Sequence, residues 1–295
     1  MLSLAAFRYR NILAEHGGPI SSIDLCRAKV CGQLMYQSNA RLVDGLNWPS
    51  PNVLFGEADG TGTDLLPSVA RHIAISEALE RWAFCATFRS PNAREFGFDI
   101  DPSSNGMSAF PGIGKRRARR KAMLEAIERF CLISWWEGRT RGEHYDTDWP
   151  KVSAIRIKGP FGGVTVIAYS RTDYGMHAYG HAAEESFGAA CEKAIIELAR
   201  HESVLRSWWL NKLARVSQMP TGLFERRCLF FSTEAGQAVF RDRLLREQHD
   251  EAAAVDVICD REIPGSWSDY ATVWRFALRP PSQAYLTAGE DYFFW

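Results

Sequence analysis

Two pairs of glutamates suggest the chemistry. Glu77 and Glu80 stand three residues apart, as do Glu125 and Glu128, and each pair is followed by an arginine, Arg81 or Arg129. The flanks match as well: EALERWA covers 77–83, and EAIERFC begins 48 residues later, at 125. On a helix, residues three apart share a face, with Cβ atoms about 5–6 Å apart. The neighbours are apolar: Ile73, Ile75, Ala78, Leu79 and Trp82 for one pair, Met123, Leu124, Ile127 and Phe130 for the other. Carboxylates this close in such a setting repel each other and lose hydration. An arginine at i+4 relieves one of them, and two pairs brought together call for a divalent metal. Magnesium takes oxygen ligands, from a few carboxylates plus substrate phosphates. The planar guanidinium of Arg81 or Arg129 suits phosphate oxygens. A third apolar stretch adds Glu197 and Arg200.

One Glu-x-x-Glu-Arg alone is most simply a solvated helix face with internal ion pairs. Two copies with matching flanks, plus Glu197 and Arg200, favour a shared site. A di-iron bundle would pair glutamates with Glu-x-x-His, and that spacing is absent. No GxSxG elbow marks a serine hydrolase. Asp59–Thr63, DGTGT, lacks the spacing of a phosphate-binding P-loop and reads as a turn. His72, His181 and His201 read as core or rim residues, and Trp135, Trp136, Trp208 and Trp209 as core. KRRARRK (115–121) opens a helix against its dipole. It reads as a solvated face, with an acidic partner as the alternative.

These residues sit on recognisable elements. Residues 47–67 are turn-rich, and a helix runs from Ser68, as cap, to about Arg89. Residues 90–114 are rich in Gly, Pro, Ser and Asn and read as loop. A second helix spans about 115–137 and stops at Gly138. Runs 152–159 and 163–170 flank Pro160-Phe161-Gly162 as a β-hairpin, with a further strand at 175–182. A third helix covers about 185–209. A polar helix (234–250) and strands at 254–259 and 271–278 follow. The apolar ending DYFFW is expected to pack on the protein. The order indicates a mixed α/β fold, a sheet packed with long helices that carry the paired glutamates.

The chain has 295 residues, 46% hydrophobic, with 35 basic and 35 acidic side chains. That allows a sizeable core in one or two domains, and the balance points to neither nucleic acid nor a membrane surface. No signal peptide or membrane-length apolar run is visible, so a cytoplasmic location is expected. The seven cysteines lack paired CxxC spacing, which argues against zinc and for reduced core thiols.

Ser104-Asn105-Gly106-Met107-Ser108-Ala109, followed by a helix with Glu125-Ala126-Ile127-Glu128-Arg129, resembles the middle motif of YcaO proteins. Gly60-Thr61-Gly62 with Glu77-Ala78-Leu79-Glu80-Arg81 is similar to the first motif of that family. Lys193-Ala194-Ile195-Ile196-Glu197 is similar to the third. The matches span about 56–205, in the family's order. The resemblance implies a single YcaO-like domain over 1–295, with no fused leader-peptide-binding domain. It implies ATP and Mg2+ as cofactors, with Glu77, Glu80, Glu125, Glu128 and Glu197 as metal ligands. Arg81, Arg129 and Arg200 would lie near phosphates, and Ser104 and Asn105 would line the nucleotide pocket. The implied activity is phosphorylation of a backbone amide oxygen in a ribosomally made precursor peptide. Attack by Cys, Ser or Thr then gives azolines, the thiazole and oxazole precursors of bacteriocin-like peptides. Other members make thioamides or amidines. Implied partners are the precursor peptide, a separate leader-recognition subunit and a second copy of the chain. The chain departs from the pattern at Ile73, Thr61 and Arg200 and lacks a PxPxP tail. Those departures motivate the alternative, a catalytically degenerate scaffold or regulatory subunit.

Overall fold

The computed structural model describes residues 3–48, 54, 58–210, 220–246 and 255–294. In chain order, α1 (Ala5–Arg8) precedes β1 (Ile20–Val30), β2 (Gln33–Leu42) and β3 (Gly60–Asp64), then α2 (Pro67–Phe88), β4 (Met107–Phe110) and α3 (Arg116–Trp136). Next come β5 (Gly142–Asp146), β6 (Val152–Lys158), β7 (Val164–Arg171), β8 (His177–Glu184) and α4 (Phe187–Leu210). The last part holds α5 (Leu223–Phe231), α6 (Glu234–Leu245), β9 (Val257–Glu262), β10 (Thr272–Leu278) and α7 (Ala284–Thr287). The fold is mixed α/β, as expected. Among the described residues it has three antiparallel sheets, ordered β1-β2-β3, β4-β10-β9 and β5-β6-β7-β8.

Contacts divide the chain into two compact units. Unit 1 holds residues 1–50, 57–126 and 256–279; unit 2 holds 51–56, 127–255 and 280–295. Residues 116–126 of α3 fall in unit 1 and residues 127–136 in unit 2.

In unit 1, α2 buries Ala74, Ile75, Ala78 and Leu79 against Ile20, Ala40 and Leu42 of the sheet. The helix begins at Pro67, whose fixed φ suits a first helical position, and Ser68 does not cap it as expected. DGTGT is not a turn: Gly60–Asp64 is strand β3, pairing with β2. The glycines let the strand lie directly on the helix. A Cβ on Gly60 would stand 2.2 Å from the Ala74 carbonyl oxygen, and one on Gly62 would stand 2.1 Å from that of Ala70. The β1–β2 hairpin was not anticipated. It turns at Cys31-Gly32, both with positive φ, the backbone a two-residue hairpin turn requires.

Unit 2 repeats the arrangement. Strand β8 lies on α4 so closely that a Cβ on Gly180 would meet the Ala194 oxygen at 2.1 Å and the Leu198 nitrogen at 2.2 Å. Gly180 follows Gly60 by 120 residues, and Phe187 at the start of α4 follows Pro67 by the same interval. The pattern Ala-x-x-x-Ala-Ile-x-Glu recurs at 70–77 and 190–197. The structural repeat thus pairs α2 with α4, whereas the conspicuous sequence repeat pairs α2 with α3. An aromatic core of Trp135, Tyr179, Phe231, Phe240 and Phe293 fills this unit. Phe293 and Phe294 are buried, as expected of the ending; Trp295 lies outside the described residues. Buried Arg227 gathers the tail by donating to the carbonyl oxygens of Tyr285, Ala288, Gly289 and Phe294.

Several boundaries differ from expectation. Helix α6 ends at Leu245, and the expected extension over 247–250 lies outside the described residues. Strand β9 starts at Val257, and Ala254 lies outside the described residues. The loop 90–114 contains strand β4. Five cysteines are buried, but Cys26 and Cys31 are exposed on the hairpin and are not core thiols.

Candidate functional site

Unit 1 gathers three of the five glutamates. Glu77 of α2 accepts the Thr61 backbone N–H at 2.9 Å, and the Thr61 hydroxyl donates to Asn39 Oδ1 at 3.1 Å. Strand β3 thus fixes Glu77 because its glycines bring it onto the helix. Glu80, one turn further along α2, is half-buried and hemmed in by protein. Burial first, then the charges of Glu125 and Glu77, raise its pKa well above the usual carboxylate range. Arg81 and Lys121 act against that rise without overcoming it. Arg81 itself is exposed. A divalent cation would relieve this crowding.

Ser104 and Asn105 belong to the same unit, on a loop that sequence alone left without support. Arg275, fully buried on β10, supplies it. Its guanidinium donates to the carbonyl oxygens of Phe96 at 2.7 Å, Asp101 at 2.9 Å and Ser103 at 2.9 Å. Asp101 Oδ1 accepts from the Ser103 hydroxyl at 2.6 Å, and Ser103 Oγ accepts from the Asn105 N–H at 3.2 Å. Gly106 closes the loop with φ of 72°, its carbonyl accepting from Phe276 N. KRRARRK is only partly a free face. Lys115 pairs with Glu262, and Arg119 makes a bidentate bridge to Asp260 on β9.

Unit 2 holds Glu128 and Glu197 under different electrostatics. Glu128 Oε1 lies 2.8 Å from His181 Nδ1, with both side chains largely buried. Burial pushes the Glu128 pKa upward. The bond to His181, with the charges of His181, Arg129 and Lys193, outweighs it and leaves the pKa below the usual value. Arg129 lies 3.9 Å from Glu128 and stacks over Phe294 at 5.1 Å. Glu197 is half-exposed, and Arg200 binds it at 2.7 Å. His181 read as core or rim from sequence. No spacing rule could find it, because its partner is 53 residues away. His201 is core: its Nδ1 accepts from Tyr179 N, and Nε2 meets Cys228 Sγ at 2.8 Å.

Among the described residues, no group of three or more His, Cys, Asp or Glu forms a ready-made metal nest. Magnesium rarely uses one; it binds through one or two carboxylates and completes its shell with phosphates and water. The all-oxygen donors and the crowding around Glu80 fit that mode. Among the described residues, no helix is long and apolar enough to cross a membrane.

No protein-family model matches the chain, and no curated protein matches it. Among solved structures it is similar to a chain of the E. coli microcin synthetase McbBCD complex. The identity is 13% over 67% of this chain and 59% of that one, with a TM-score of 0.44. It is also similar to a chain of the same complex with pro-MccB17 bound, at 14% identity over 63% and 56%, with a TM-score of 0.42. The chain therefore spans less than two thirds of the chains it resembles.

Proposed function

We propose that this chain is an ATP- and magnesium-dependent enzyme of the YcaO kind that activates backbone amides in a ribosomally made precursor peptide. The observation that carries the reading is the crowding of Glu80 in unit 1, by burial and by the charges of Glu125 and Glu77. A braced Ser104-Asn105 loop in the same unit supports it. In this reading the amide oxygen takes the γ-phosphoryl group of ATP and ADP departs. A Cys, Ser or Thr side chain of the peptide then attacks the amide carbon, and phosphate leaves with the oxygen, closing an azoline. Bound magnesium supplies charge neutralisation at the phosphates. Ser104 and Asn105 orient the nucleotide, and Arg129 and Arg81 contact phosphate. The peptide is presented by a separate leader-recognition subunit in the cytoplasm, and the chain acts as a dimer.

A second reading rests on the engaged carboxylates of unit 2. His181 on Glu128 and Arg200 on Glu197 supply protein partners where the first reading places metal. The chain would then be a scaffold or regulatory subunit without nucleotide turnover.

Calorimetric titration with a non-hydrolysable ATP analogue, with and without magnesium, separates the two. Magnesium-dependent binding that is lost in Glu125→Gln and Glu128→Gln, with ATP turnover abolished and melting preserved, supports the enzyme. No magnesium-dependent binding in the unmodified chain, alone or with its partner subunit, supports the scaffold.

A further inference from the structure

Each structural repeat places one residue directly after its close-packed glycine, and in each repeat that residue bonds a candidate ligand carboxylate. After Gly60, the Thr61 N–H donates to Glu77 Oε2 at 2.9 Å. After Gly180, His181 Nδ1 meets Glu128 Oε1 at 2.8 Å. Gly60 holds β3 at backbone contact with α2, which carries Glu77; Gly180 holds β8 at backbone contact with α4, and His181 reaches from that strand to Glu128 on α3. A carboxylate that ligates a metal only accepts, so in this contact the Nδ1–H of His181 is the donor. The bond occupies Oε1 alone. The contacts of Glu128 to His181 and to Arg129 are both closest at Oε1. A carboxylate ligand held by one oxygen presents the other at a defined angle, and such outer hydrogen bonds govern metal affinity.

We propose that His181 is a positioning residue: its Nδ1–H fixes one oxygen of Glu128 so that the other is presented to the magnesium of a bound nucleotide. The inference rests on the enzyme reading above and adds a residue that none of the three motifs contains. The first repeat does the same work on Glu77 with a backbone amide. The second repeat uses an imidazole, which can be replaced.

The test is magnesium titration of nucleotide-analogue binding by calorimetry on the full chain, with melting curves, for His181→Asn, His181→Gln and His181→Ala. Asparagine keeps a donor at the δ position, whereas glutamine moves it one atom further out. The expected result is magnesium affinity weakened about 10- to 100-fold in the Gln and Ala variants and within a few-fold of the unmodified chain in the Asn variant. If Ala fails to fold, the Asn–Gln contrast carries the test. Equal affinity in Asn and Gln, or lowered melting with unchanged magnesium affinity, would overturn the role. Absence of magnesium-dependent binding in the unmodified chain overturns the enzyme reading and this role together. Normal binding there with indifferent variants overturns this role alone.

Discussion

Strand β3 on helix α2 and strand β8 on helix α4 are one arrangement built twice, with opposite electrostatics. Gly60 and Gly180 hold equivalent places, as do Glu77 and Glu197. One turn further, the first copy has Glu80 and the second has Arg200. The first copy therefore concentrates negative charge, and burial with its neighbours raises the Glu80 pKa. The second copy neutralises itself: Arg200 closes on Glu197. Packing was duplicated while the charged face diverged. A packed face tolerates few changes in shape, whereas a half-exposed face can change charge at little cost.

The scaffold of the two copies should give the largest effects. Each unit holds a fully buried arginine that collects backbone carbonyls, Arg275 in unit 1 and Arg227 in unit 2. Replacing either with Met strands several buried acceptors and should cost about 4 kcal/mol. Denaturant midpoints check this, and a small loss at one site only would show that the units are not braced alike. Gly60→Ala and Gly180→Ala should each cost about 3 kcal/mol, because the added Cβ meets helix backbone. Tolerance at Gly180 would mean that the second copy is not held at backbone contact.

A pH experiment sharpens the contrast at the position after Glu80 and Arg200. The first copy has exposed Arg81; the second has His201, whose pKa burial lowers to about 4. Between pH 6.5 and about 4 the unfolded chain binds a proton here and the folded chain does not. Stability should therefore fall as pH drops through that window, by about 3 kcal/mol in total. The slope of stability against pH should flatten in His201→Gln, and an unchanged slope would exclude His201 as its source.

The charged face itself should give smaller changes. Without metal, Glu80→Gln should stabilise the protein by about 1 kcal/mol by removing like-charge repulsion, while abolishing magnesium-dependent nucleotide binding. Destabilisation there would show that Glu80 already has its charge met by protein. Arg200→Gln, which breaks one half-exposed pair, should cost about 0.5 kcal/mol in thermal melting.

The mixed α/β class, the three long helices, the β6–β7 hairpin and the pairing of glutamates are legible in the order of residues alone. These follow from periodicity, turn residues and spacing, which are local. Tertiary structure decided the rest. DGTGT reads as a turn because glycine is flexible; only the helix beneath it shows that glycine is there for close approach. His181 gives no local signal, since it stands on strand β8 and its partner on helix α3, 53 residues away. The 120-residue repeat is faint in sequence, because packing preserves only small and apolar positions while the surface drifts. Whether Glu80 is crowded and Glu128 relieved depends on which charges the fold brings beside them. Electrostatic energy depends on distance and burial, and a linear sequence specifies neither.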